Sequence, residues 1–221
     1  MELKYTLIAD GSSDKALMNI IKWSLDDLYP RLPNNGKFAD FGKLRNPPSK
    51  GDIVSQINKA NEYYPSDLIF YHRDAEMVSN TIINDRKLEI YHKVEHTETI
   101  VCIVPIVMME SWLLFDELAI KKAAENKNYK QEIDLPAINS IEKIKEPKRF
   151  LHELLKTVSC KKIRALKDFN IHRAVHLVAE NITDFSPLRN LSAFKVFEND
   201  LKIAVNKFLE INELATKAPL G

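Results

Sequence analysis

Acidic residues stand at three places where apolar, strand-like runs stop. In LIADGSSDKAL (residues 7–17) the run ends at Asp10, turns at Gly11, and meets Asp14 as a helix begins. A loop that cradles a bare phosphate is rich in glycine and offers lysine or backbone amides. This loop offers negative charge, which points to a cation. In HRDAE (72–76), Asp74 and Glu76 are two residues apart, so an extended backbone turns both to one side. In MMESWLLFD (108–116), Glu110 follows another strongly apolar run. A hard cation such as Mg²⁺ takes oxygen ligands, commonly one or two carboxylates with water and substrate phosphates. Carboxylates crowded into one cleft would repel one another without it. Each acid also has a plainer reading. Asp14 and Glu110 suit the first turn of a helix, and Asp74 suits a helix cap. Asp10 has no such local reason.

For these acids to meet, separate strands must end at one edge. Residues 3–9 read as a first strand, and 13–29 as a helix with apolar residues at Ala16, Leu17, Ile20, Ile21, Leu25 and Leu28. Ser13 suits its N-cap. Residues 38–44 are a weaker strand candidate, 52–64 a second amphipathic helix, 67–76 a further strand and 84–96 a further helix. Residues 99–110 are apolar and β-branched, as in a strand buried on both faces. This alternation predicts an α/β fold with a mostly parallel, Rossmann-like sheet flanked by helices. Such sheets bind ligands at the carboxyl ends of their strands. The acids lie just beyond those ends. From SWLLFDELAIKKAAENK onward the pattern is helical. The expected division is an α/β domain over 1–117 and a helical extension over 118–221, packed on it as one compact unit. The tail, 215–221, is expected to fray.

The bulk composition narrows the class. A chain of 221 residues that is 45% hydrophobic and 29% charged suits a soluble globular protein. A formal net charge of +1 advertises neither nucleic acid nor membrane, so any such surface must be a local patch. Two cysteines are too few for a disulfide framework, and the N-terminus has no secretory pattern. No apolar run approaches the roughly 20 residues that span a bilayer. The expectation is a cytoplasmic protein without a membrane partner.

The order DGSSDKAL, HRDAE, VPIVMMESWLLFD and DFSPLRNLSAF resembles a TOPRIM-like group of uncharacterised bacterial proteins, related to the TOPRIM domains of OLD-type nucleases. In the TOPRIM family a Glu-Gly turn follows the first strand and an Asp-x-Asp pair follows a later one. Asp10 stands at the glutamate position, and Asp74 and Glu76 at the paired positions. Glu110, Trp112, Leu113 and Leu114 match the group's Glu-x-Trp-Leu-Leu segment. The resemblance covers residues 3–116, more loosely to 194. It implies a Mg²⁺- or Mn²⁺-dependent nuclease, with some relatives accompanying phage-defence loci. Asp10, Asp74 and Glu110 would be catalytic, and Asp10, Asp74, Glu76 and Glu110 would hold the metal. Two departures count against full activity. Asp10 is one methylene shorter than the family's acid/base glutamate, and Glu76 replaces an aspartate.

Cations must steady the substrate. Arg73 beside the pair, Lys162 and Arg164 in the basic stretch KKIRALKDF (161–169), and Arg189 in DFSPLR are the candidates for phosphate contact. A solvated helix face and a loop-fixing salt bridge are the plainer readings of the last two. Three functions remain open. The first is metal-dependent phosphodiester hydrolysis of nucleic acid, DNA rather than RNA, in phage defence or as a toxin. The second is a catalytically inactive TOPRIM-like binding subunit with a partner protein in a defence complex. The third is a phosphatase or phosphotransferase for a small nucleotide.

Overall fold

The computed structural model describes residues 1–79 and 81–217. Four strands, β1 (Leu3–Ile8), β2 (Asn34–Phe38), β3 (Leu68–His72) and β4 (Ile100–Ile103), form one all-parallel sheet in the order β2-β1-β3-β4. The chain leaves β1 in one direction to form β2, then crosses back over β1 to form β3. The direction reverses between β1 and β3, the switch point at which open parallel sheets hold ligands.

Helices cover the sheet: α1 (Leu17–Leu28), α2 (Ile53–Tyr63) and α3 (Thr81–Tyr91) within the α/β half, then α4 (Glu117–Ala123), α5 (Pro147–Ser159), α6 (Ile163–Lys167), α7 (Ile171–Asn181) and α8 (Ser192–Lys217). The period-2 alternation of the strands sorts the two faces. Thr6 and Tyr71 reach α2, donating to the Tyr64 carbonyl and to Gln56. Tyr5 and Phe70 stack edge to face at 5.3 Å on the other side, where Phe197 of α8 meets Phe70. One continuous core joins the sheet to the later helices. Trp112, Phe194 and Phe197 are its aromatic centre, with Trp112 and Phe194 at 5.3 Å.

Several boundaries differ from the sequence expectation. β2 is NNGKF, not residues 38–44, where a short 3-10 turn (Phe41–Lys43) follows instead. Asn-Gly reads as a turn, but here Gly36 lies in register with Tyr5, whose ring occupies the space of a side chain. A Cβ on Gly36 would fall 2.2 Å from that ring. The glycine is therefore required by a neighbour on the adjacent strand. β4 ends at Ile103, short of the expected 99–110, and Val107 leaves the extended region at φ 64°. The segment after it is a 3-10 turn (Met109–Leu113), and α4 begins anew where Asp116 accepts the Ala119 amide at 2.8 Å. Helix α1 is entered through another 3-10 turn, Ser12–Ala16, whose N-cap is Gly11 rather than Ser13. The tail expectation falls on Ala215–Lys217, which end α8, and on 218–221, which lie outside the described residues.

Candidate functional site

The ends of β1 and β3 open on a cleft of about 230 Å³ lined by Asp10, Asp14, Gly51, His72, Arg73, Asp74 and Glu76. It lies at the switch point between neighbouring strands. Asp10 is exposed, and its Oδ1 accepts from Gln56 Nε2 at 3.2 Å. Gln56 is buried in α2 and is itself held by the Tyr71 hydroxyl. The relay Tyr71–Gln56–Asp10 thus ties the first carboxylate to β3. Asp74 is oriented by the backbone: its Oδ1 accepts the Met109 amide at 2.9 Å. Asp14 Oδ2 accepts the Gly11 amide at 2.9 Å, closing the turn after β1.

Between Asp14 and Asp74 sits His72, 3% exposed. Its Nε2 is 3.4 Å from Asp74 Oδ1 and 3.9 Å from Asp14 Oδ2, and its Nδ1 is 3.1 Å from the Ile103 carbonyl. Burial pushes the imidazole pKa down. The Asp74 and Asp14 carboxylates and the Ile103 carbonyl outweigh that and lift it to about 9. His72 is therefore an imidazolium at neutral pH, with both ring N–H groups directed at oxygen.

Backbone strain gathers at the same edge. Glu76 (φ 61°) and Val107 (φ 64°) both occupy the left-handed region, and the Glu76 amide donates to the Val107 carbonyl at 2.9 Å. Neither is a glycine, and such residues cost roughly 1–3 kcal/mol each. The bend at Glu76 ends the extended geometry that would have aligned it with Asp74. Its carboxylate meets Arg86 at 3.1 Å and is 70% exposed, so Glu76 lines the cleft as an outer member.

Glu110 does not line the cleft. It is buried, and its Oε1 is 3.3 Å from Lys148 Nζ at the start of α5. Burial pushes its carboxyl pKa up, against the pull of Lys148. Glu110 pairs with Lys148, which docks α5 beside the strand ends, and the nearby Asp74 carboxylate adds to the rise of its pKa. Arg189 is reassigned. It pairs with Asp27 at 2.6 Å and Glu198 at 2.7 Å and lies over Trp23, so it fixes its loop against α1 and α8. Asp27 is at the C-terminal end of α1, beside the opposite edge of the sheet. Lys162 and Arg164 are exposed on or beside the short helix α6, where the neighbouring Lys161 pairs with Glu125. Arg73 does line the cleft, with Glu89 3.7 Å away.

Asp14, His72 and Gln56 are the members that sequence reasoning left out of the site. Asp14 was visible as a carboxylate in the opening turn and His72 as the histidine of HRDAE; Gln56 carries no local signal. The donor set suits a hard cation in part. Asp10 and Asp74 each have one oxygen held by the protein's own donor, and oxygen ligands with open positions are what Mg²⁺ takes. Among the described residues, no three His, Cys, Asp or Glu side chains form a ready-made metal group. No helix among the described residues is long and apolar enough to cross a membrane. No protein-family model, curated protein or solved structure matches this chain.

Proposed function

We propose that the protein is a Mg²⁺- or Mn²⁺-dependent phosphodiesterase acting on nucleic acid, DNA rather than RNA, with its site at the β1–β3 switch point. The observation that carries this reading is the convergence of Asp10 and Asp74 from neighbouring parallel strands on one small cleft. Asp10 and Asp74 would hold the cation, with Glu76 as an outer ligand. The cation would polarise the phosphate and stabilise the leaving oxygen. Gln56 and the Met109 amide hold the two carboxylates in place before substrate arrives. Arg73 presents a guanidinium to the same cleft, suited to a phosphate oxygen. His72 keeps Asp14 and Asp74 together by charge.

A second reading has one observation in its favour. The His72 imidazolium already supplies a positive charge between Asp14 and Asp74, so part of the cleft's negative charge is compensated without a metal. That suits a catalytically inactive binding subunit of a defence complex. Calorimetric titration with Mn²⁺ decides between them, alongside plasmid cleavage in Mg²⁺ and Mn²⁺. The nuclease reading expects binding and cleavage in the wild type. Asp74→Ala should remove binding and slow cleavage at least 100-fold. Absence of both in the wild type leaves the binding subunit.

A further inference from the structure

Chain-wide neutrality requires any nucleic-acid surface to be a local patch, and α5 carries one beside the cleft. A groove of about 410 Å³ runs along this helix from Met108 and is lined by Lys145, Lys148, Arg149, His152 and Lys156. Lys148, His152 and Lys156 are spaced four residues apart, which puts them on one face at steps of about 6 Å. The two glutamates in the groove, Glu146 and Glu153, are both taken by Arg149. Among the described residues, Lys145 and Lys156 have no carboxylate within ion-pair distance, and both are exposed. The groove and the cleft have separate linings, but one short segment joins them. Met108 precedes Met109, whose amide holds Asp74, and Lys148 touches Glu110 in the same turn. Apart from His152, no ring lines the groove, and it offers no Asn or Gln to read a base edge.

We infer that the α5 groove is a phosphodiester-backbone track that leads nucleic acid to the strand-end carboxylates without regard to base sequence. The substrate class rests on the function proposed above, but the binding itself needs no metal. Cations that neutralise phosphates release counterions, so affinity falls steeply with salt. The track is independent of KKIRALKDF, the densest basic stretch of the chain.

The test is fluorescence anisotropy of a labelled 20-mer DNA duplex in EDTA, from 50 to 200 mM salt, repeated with a second sequence. Wild type should bind both sequences equally, with a steep salt slope. Lys145→Glu/Lys156→Glu should weaken binding at least tenfold at 100 mM salt and lower the slope by about 2. Lys162→Glu/Arg164→Glu, on the other basic stretch, should bind as wild type. Three results would each overturn the track: no salt-dependent binding by the wild type, an unchanged α5 variant, or a strong base preference. Because EDTA removes the metal, loss of this binding is distinguishable from failure of the Mn²⁺ titration, which tests the cleft alone.

Discussion

At the scale of single residues, the site is a balance of charge. His72 is a cation buried between two carboxylates, and its ordering role makes folding stability depend on pH. Its pKa rises from 6.5 to about 9 on folding. A raised pKa contributes stability in full below the unfolded value, and that contribution is lost as pH rises from about 6.5 through about 9. The shift sets an upper bound of about 3 kcal/mol. Urea unfolding in EDTA at steps from pH 6 to 9.5 should therefore show the wild type weakening across that window. His72→Gln should be less stable at pH 6 and nearly flat above it. A wild type as pH-insensitive as His72→Gln would mean that the imidazole is neutral when folded. The sequence offered HRDAE as a carboxylate pair. Partners contributed by Asp14 and Ile103, distant in sequence, make its histidine the charged centre of the cleft.

At the scale of elements, Asp10 and Asp74 matter because β1 and β3 are neighbours, and what lets β1 pair on both edges is a glycine. Gly36 leaves room for the Tyr5 ring, which also packs against Phe70. Gly36→Ala should destabilise the protein by about 1–3 kcal/mol through overpacking, read as a lower urea midpoint with unchanged slope. Gly36→Ala combined with Tyr5→Leu should recover part of that loss. An unaffected single variant would show that the Tyr5 ring can move. The same contact explains why β2 was not legible. Asn34, Asn35 and Gly36 are turn formers by local chemistry, and only the ring from the adjacent strand makes them an edge strand. Helix α2, by contrast, announced itself through its amphipathic spacing, a local feature, and the structure buries Ile53, Ile57 and Ala60 and caps it with Asp52.

At the scale of the molecule, the helices after residue 117 share the core of the sheet. Phe194, Phe197 and Leu201 of α8 are fully buried against residues that include Phe70 and Trp112. A fragment of residues 1–117 would expose this aromatic face. It should be aggregated or lack dispersed methyl signals in NMR, whereas the full chain unfolds in one cooperative step. A well-folded fragment would show that the α/β half has a core of its own. The same packing puts α5 beside the strand ends through Lys148 and Glu110, so the later helices supply the basic groove.

The sequence by itself determined the alternation of strands and helices, the parallel class of the sheet, and the placing of Asp10 and Asp74 just past strand ends. These are local facts, carried by apolar periodicity and by where it stops. The strand order, the burial of Glu110, the engagement of Arg189 and the position of α5 beside the strand ends were decided by tertiary structure. Each depends on which segments, far apart in the chain, come to lie side by side. A carboxylate at a strand end reads the same whether it faces a cleft, as Asp74 does, or a lysine from another helix, as Glu110 does. Only the packed neighbours supply the difference in solvation and charge.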